Sequence, residues 1–483
     1  MEQLQAVIDP VSGFLWGTVL IYLLLGAGIY FSVRTRFVQI RHFGHLFHVV
    51  LGSRKGAQGG ISSFQAFCIG LASRVGTGNI AGVAIALTVG GPGAIFWMWC
   101  VALLGMSTAF VEATLAQIFK VAQPDGTFRG GPAYYIERGL GLRSGGVLFA
   151  VLLIFTFGIA FNGVQANTIS DVLQGAHTVP PMLTGVILAI LAAPVFFGGM
   201  RAIARVAEVV LPIMAVIYIV TGLVIILMNI GHVPHALALI VQSAFGLAPA
   251  AGGIAGGFSA ALLNGVKRGL FSNEAGMGSA PNTAATATVA HPATQGFVQS
   301  LGVFVDTMVI CTMTALIVLV SGLYDGGGNG GISGAALTQA SVAQNFGVAG
   351  QWLMTVTVFL FAFSSVLGNY AYADANLTFL RASPSVFFWF RIIALLAVFA
   401  GSVAELPLVW ALADVAMGLM TLVNIAALVG LTRWALAALA DYEAQLATKA
   451  QPVFDAGHIA AQAGALPGPL PGDVWTAPAP RPA

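Results

Sequence analysis

Residues 61–90 read ISSFQAFCIGLASRVGTGNIAGVAIALTVG. The stretch is apolar and long enough to cross a bilayer, yet its middle is Ser73-Arg74-Val75-Gly76-Thr77-Gly78-Asn79. Glycine costs a helix about 1 kcal/mol per residue relative to alanine, so two glycines among polar side chains mark backbone that leaves the helix. At mid-membrane such backbone has N–H and C=O groups without intrahelical partners, and it is tolerated only where it lines a cavity or binds something. The plainer alternative is that these glycines let neighbouring helices pack closely.

The rest of the chain supports a membrane setting. Of 483 residues, 58% are apolar and 7% charged, and mean hydropathy is +0.91; soluble chains carry about 25% charge. This excludes a nucleic-acid binder, a disulfide-stapled secreted domain and an ordinary soluble enzyme. Cys68, Cys100 and Cys311 lie in apolar runs with no zinc or redox spacing. The N-terminus has Glu2 and Asp9 and no basic n-region, unlike a cleaved signal peptide.

Apolar runs cut at Pro, Gly and charge clusters predict eleven helices, at about 14–31, 61–89, 93–120, 146–172, 182–199, 205–229, 235–272, 296–322, 350–380, 386–402 and 407–432. Continuous apolarity, without the alternation of barrel strands, selects helix. With this map, 18 of 19 basic residues fall at the N-terminal-distal side: Arg34 to Lys55, Lys120 to Arg143, Arg201 and Arg205, Lys267 and Arg268, Arg381 and Arg391, and the tail. Arg74 alone lies inside a helix. The positive-inside rule then puts the N-terminus outside and the C-terminus in the cytoplasm. The Pro- and Ala-rich end of the tail, and the Gly-rich external stretch 324–334, are expected to be disordered or flexible.

The seventh span is too long for one straight crossing and contains Ala251-Gly252-Gly253-Ile254-Ala255-Gly256-Gly257. Spans two and seven each open a block of five, and five is odd, so the blocks run through the membrane in opposite directions. Residues 1–59 then precede a first repeat at 60–231, a second at 232–435 and a cytoplasmic tail at 436–483. Paired discontinuous helices in two inverted halves are the pattern of a secondary transporter's midplane site. Half-helix N–H groups attract a carboxylate and half-helix carbonyls a small cation, so a small anion or zwitterion moved with Na⁺ or H⁺ fits both ends. Gly252, Gly253 and Gly256 are accordingly candidate substrate contacts, with close packing as the alternative.

Several polar side chains stand out at membrane depth. Asn162 and Gln165, three apart, share a helix face and suit a carboxylate or ammonium, or serve as interhelical hydrogen-bond glue. Asp306 is the deepest acid, able to neutralise a cation, carry a proton, or pair with Arg74. Glu274 reads as a gate or packing network and Arg74 as part of an inner gate. His42, His45 and His48 recur every third residue, a pattern expected of an amphipathic interfacial helix more than of a metal row. A paired acid–base or metal constellation at one depth, which an enzyme needs, is absent from the sequence pattern. A channel needs a continuous polar path, whereas charge here is sparse and the breaks are paired.

Longer motifs go further. GLASRVGTGNIAGVAIALTVGGPGAIFWMW (70–99), Glu112, DGTFRGGPAYYIERGLG (125–141), NGVQANTI (162–169), VKRGLFSNEAGMGSAP (266–281), HPATQG (291–296), VFVDTMVICTMTAL (303–316) and FAFSSVLGNYAYADANL (361–377) closely resemble the sodium:alanine/glycine symporter family. The resemblance covers about residues 15–435. It implies a LeuT-type all-α membrane fold, with one extra helix before a five-plus-five inverted repeat and two broken helices. It also implies small neutral amino acids, alanine or glycine, as substrate and Na⁺ as coupling ion. Carried onto this chain, the resemblance gives Thr77 and Gly78 as N–H donors to the substrate carboxylate. Asn79 supplies an oxygen or, alternatively, caps the second half-helix. The carbonyls of Ala72 and Val75 with Ser364 and Ser365 form a Na⁺ site, unless the serines merely bond back to the preceding turn. One departure is Gly368-Asn369-Tyr370 followed by Asp374, where many members have a Trp after the glycine and a Glu further on. Asn369 in the pocket wall implies a larger or more polar site, and admits glutamine-sized substrates.

Overall fold

The computed structural model describes residues 8, 10–53, 60–124, 126–246, 257–326, 331–448, 451–455 and 474–475. Among these the fold is helical throughout, save a two-stranded hairpin pairing Val121–Ala122 with Phe128–Arg129. Eight helices are long and apolar enough to cross a membrane, and the bent pair Ser63–Arg74 and Gly78–Gly90 adds a ninth. Two of the long helices contain a kink. Pro181–Met228 is non-helical at Gly199, which divides it where the sequence predicts separate spans, and Gly334–Phe379 is non-helical at Gly347.

The first broken helix starts cleanly. Ser62 accepts from the Gln65 backbone N–H at 3.1 Å while Gln65 Oε1 accepts from Ser62 N–H at 3.0 Å, a reciprocal capping box. The helix ends at Arg74, and its continuation is bent by 48°. A π-helical turn, Gly78–Gly82, opens the second half; such turns widen the helix and concentrate at functional sites. A long-range hydrogen bond from Thr288 N–H to Ile61 O, 3.0 Å, ties the start of this helix to the segment that follows the second broken helix.

A second interruption among the described residues lies at the end of the helix Phe258–Asn273. The span expected over 235–272 is two helices, Val233–Ala244 and Phe258–Asn273. Gly252, Gly253 and Gly256 lie outside the described residues. The described interruption runs through Glu274–Ala280, before the short helix Pro281–Ala284. Glu274 (φ 57°), Gly276 (φ 90°) and Gly278 (φ 86°) take left-handed conformations there. A Cβ at Gly278 would approach Phe149 and Pro132 to 2.8 Å, so space and backbone both call for glycine.

The sidedness of two cations also changes. Lys267 Nζ reaches Ser12 Oγ at 3.4 Å, and Trp16 Nε1 donates to Asp414 O at 3.1 Å. Lys267 and Arg268 therefore lie beside the start of the first span, on the N-terminal side and not with the other basic residues. Both pair with the carboxylate of Asp414, at 2.5 and 2.6 Å. Both are held by one carboxylate inside the helix bundle, which is why a rule for loop charges misplaces them.

The tail is partly packed. The last long helix runs to Ala447, well beyond the predicted end at 432. Phe454 N–H donates to Ala290 O at 2.9 Å, and Trp475 is 4% exposed with its indole N–H on Gln117 O at 2.9 Å. Phe454 also packs edge-on against His291. His291 Nδ1 accepts from Ala293 N–H, so in the neutral ring Nε2 carries the proton and donates to Asp441 Oδ2 at 3.0 Å. Burial holds this imidazole below its usual range, although Asp441 works in the opposite direction. The histidine row docks the helix Phe43–Gly52 onto the same end of the bundle. His42 meets Glu443 at 2.9 Å and His45 meets Tyr442 OH at 2.9 Å.

Candidate functional site

Both interruptions sit side by side in the buried centre, and nearly every polar group there is paired. At the first, Gly76 N–H donates to Asn79 Oδ1 (2.9 Å) and Thr77 N–H to Gln165 Oε1 (3.0 Å). Asn79 thus closes its own break. Its Nδ2 donates to Asp306 Oδ1 at 2.7 Å, and its carbonyl accepts from Thr314 at 2.7 Å. Of the two donors expected to face a carboxylate, the Thr77 N–H is occupied by the Gln165 amide. Gly78 lies against Phe271 and Ser272, where a Cβ would approach to 3.0 and 3.1 Å.

The carbonyl of Ala72, on the last turn before the break, accepts from Ser365 Oγ at 2.9 Å and Ser364 Oγ at 3.4 Å. Both serines also bond back to Phe361 O, at 3.0 and 2.9 Å, so each hydroxyl proton stands between two carbonyls. Val75 is buried at the adjacent turn. The backbone approach is so close that a Cβ on Gly76 would run into Ser365 Oγ. Three oxygens therefore converge: a half-helix carbonyl and two hydroxyls from Gly334–Phe379.

Asn369 belongs to the same wall. Its Oδ1 accepts from Ser73 Oγ at 2.7 Å and its Nδ2 donates to Asn162 Oδ1 at 3.1 Å. Ser73 also contacts Glu274 Oε1 at 3.1 Å, so a polar file runs Asn162–Asn369–Ser73–Glu274 across both breaks. Glu274 is completed by Ser279 at 2.5 Å.

Asp306 is fully buried on a π-helical turn, Phe304–Cys311. Besides Asn79 it receives Ser272 Oγ (2.7 Å) and Thr307 Oγ1 (2.8 Å). Arg74 does not pair with it directly. The guanidinium donates to Gln299 O at 3.3 Å, leaves Nε and Nη2 without a partner, and interacts electrostatically with Glu112, Glu274 and Asp306. One cation thus faces three acids in a low-dielectric interior, where unbalanced charge is costly.

Sequence reasoning missed several of these partners. Glu112 was visible as a buried acid, but its role is structural here: Oε2 accepts from Gly276 N–H at 3.0 Å and Oε1 from Asn424 Nδ2 at 2.5 Å. Ser272 and Asn273 stand directly before Glu274, and a polar Ser-Asn-Glu run ahead of two glycines in an apolar segment was the available signal. The aromatic cover gave none. Phe161 stacks on Phe271 at 4.5 Å and Phe271 contacts Trp410 at 4.6 Å, closing the site over Gly78. Beyond them lies a cavity of about 390 Å³ lined by Trp16, Lys267, Trp410 and Asp414. Arg268 lies over Trp410, 4.5 Å from the ring centre, and holds both Asp414 oxygens at 2.8 and 2.6 Å.

Comparison with known proteins places this geometry. A profile described as the sodium:alanine symporter family matches residues 1–456. The probable sodium/glutamine symporter GlnT of Bacillus subtilis is 47% identical over 456 residues, 94% of each chain. The amino-acid carrier protein AlsT of the same organism is 45% identical, over 94% of this chain and 96% of its own. Among solved structures, MhsT in complex with L-phenylalanine superposes with a TM-score of 0.54 at 15% identity, covering 80% of this chain and 93% of that one. That likeness concerns the fold, which is that of the LeuT-type transporters. The protein is a multi-pass membrane transporter, not an enzyme, and belongs to the sodium:alanine symporter family.

Proposed function

We propose that this protein imports a small neutral amino acid, alanine or glycine, together with Na⁺, by alternating access around the two breaks. The observation that carries the reading is the convergence of Ser364 and Ser365 on the Ala72 carbonyl at the unwound end of the first half-helix. A hydroxyl has one proton and two lone pairs. Rotation of both serines away from Ala72 O would turn three oxygens, with Val75 O, toward a bound Na⁺. The substrate carboxylate would take the Thr77 and Gly78 N–H groups, displacing Gln165, whose amide then turns to donate. Asn162 and Asn369 would bound the substrate's far side. By linkage, Na⁺ and substrate must raise each other's affinity equally.

In this reading the chain crosses the membrane eleven times, as one helix and two inverted halves at 60–231 and 232–435. The N-terminus lies outside and the C-terminus in the cytoplasm of a bacterial-type inner membrane. The Phe161–Phe271–Trp410 rings form the external cover. Arg74, Glu274 and Asp306 couple the two breaks electrostatically. Asp306 as proton carrier is the competing choice of ion: Asp306→Asn abolishing pH-dependent but not Na⁺-dependent uptake would favour it.

A second substrate, glutamine, is favoured by one feature. Asn369 and Asn162 present amides, not a bulky ring, at the pocket wall. The test is uptake of labelled alanine, glycine and glutamine into proteoliposomes under an inward Na⁺ gradient, then with K⁺ in its place. Na⁺-driven accumulation of alanine or glycine is expected. Accumulation of glutamine alone would transfer the assignment, and accumulation of none would remove it.

A further inference from the structure

The turn joining Gly334–Phe379 to Pro384–Val403 borders a second cavity, of about 420 Å³, that plays no part in the site above. Arg129, Asp374, Thr378, Pro384, Phe387 and Arg391 line it. Arg129 is 9% exposed. Its Nη1 donates to Thr127 Oγ1 at 3.3 Å and Phe128 O at 3.2 Å, and its Nε is buried without a partner. Its Nη2 stands 3.6 Å from Asp374 Oδ2, beyond hydrogen-bond length. Arg391 Nε donates to Tyr370 OH at 3.1 Å, and the guanidinium lies 5.2 Å from the centre of the Phe197 ring. Two guanidinium groups therefore share one carboxylate, ion-paired with Arg129 and felt by Arg391 only through space, leaving the cavity lining one positive charge in surplus.

Its surroundings identify what kind of anion fits. Phe388 and Trp389, beside the cavity residue Phe387, are 46% and 60% exposed, and Phe197 is 43% exposed. In a membrane protein such a face is covered by hydrocarbon. The cavity thus stands where a basic pocket between helix ends meets the lipid boundary, on the side that holds most of the basic residues. Pockets of this kind take anionic headgroups. The planar arginine fork matches phosphate oxygens in pairs.

We propose that this cavity binds the phosphate of an anionic phospholipid, between Arg391 and Arg129, with its acyl chains along Phe388 and Trp389. Tyr370 and Asp374 lie on the same helix as Ser364, Ser365 and Asn369, so an occupied headgroup site bears on the helix that carries the candidate cation position. The proposal depends on the chain being membrane-embedded and not on which amino acid is carried.

The test uses purified full-length protein and native mass spectrometry with phosphatidylglycerol or phosphatidylcholine in equal amounts. Preferential retention of phosphatidylglycerol is expected, falling about fivefold in Arg391→Gln. Equal retention of both lipids, or unchanged preference in the variant, overturns the proposal. Asp374→Asn removes the competing carboxylate and is expected to raise retention; a fall or no change overturns it too, and covers the case in which Arg391→Gln does not fold. Inorganic phosphate or glycerol phosphate that displaces the lipid completely would identify a soluble-anion site instead and overturn the lipid assignment.

Discussion

The two breaks are satisfied by opposite means. At Val75–Thr77 the freed N–H groups find neutral amide oxygens, Asn79 and Gln165, and the freed carbonyl of Ala72 finds two hydroxyls. At Glu274–Ala280 a buried carboxylate, Glu112, takes Gly276 N–H, and Asn424 donates at once to Glu112 and to Gly276 O at 2.9 Å. Neutral partners are exchanged at modest net cost, because a replacement hydrogen bond recovers most of what is lost. A buried charge loses far more if left unpaired. The first break therefore has partners that exchange at modest cost, as the proposed ligand binding requires, and the second is held by a charge.

The largest expected effect comes from denying the first break its close approach. Gly76→Ala drives a Cβ into Ser365, and uptake should fall by more than about a hundredfold, the scale of a small displacement in a preorganised site. Near-normal uptake would mean that this backbone does not meet the serine in the working protein. Glu112→Gln probes the other side. A Gln amide must turn its NH₂ toward either Gly276 N–H or the Asn424 NH₂, leaving a buried donor unpaired at a cost of about 1–3 kcal/mol. The variant should melt earlier in a detergent thermal-shift assay whether or not Na⁺ is present. Stability restored fully by Na⁺ and substrate would assign Glu112 to ligand binding and erase the contrast.

Ser365→Ala removes one proposed Na⁺ ligand while leaving the fold intact. The Na⁺ concentration for half-maximal uptake should rise about tenfold, the equivalent of one charge-assisted contact. An unchanged Na⁺ dependence would locate the ion elsewhere. The smallest change is expected from Asn369→Ala, which shortens the polar file between Asn162 and Ser73. The ratio of glutamine to alanine uptake should shift about fivefold with Na⁺ dependence preserved. A loss of both substrates together would make Asn369 part of the frame and not of the selectivity.

The first break was legible because glycines with flanking polar groups have no ordinary place in a membrane helix. The interruption at Glu274–Ala280 was not legible, because it has only two glycines and a left-handed glutamate, while the denser cluster Gly252, Gly253 and Gly256 lies outside the described residues. Density of glycine marks where a helix is weak. It does not mark where neighbours pull it open, and here Glu112, Asn424 and Ser73 do so from three other points in the chain. Lys267 and Arg268 were misassigned for a related reason: their partner, Asp414, is 146 residues from Arg268.

The sequence by itself determined a helical membrane protein, its family, the first interruption and the presence of Asn369 in the ninth predicted span. Each of these depends on composition, local period or a contiguous motif, which are properties of neighbouring residues. Only the tertiary structure decided which break is neutral and which is ionic, that Phe161, Phe271 and Trp410 cover the site, and that Phe454 and Trp475 of the tail are buried. Those outcomes rest on contacts between residues distant in the chain. In a low-dielectric interior a buried polar group has to find a partner wherever the fold supplies one.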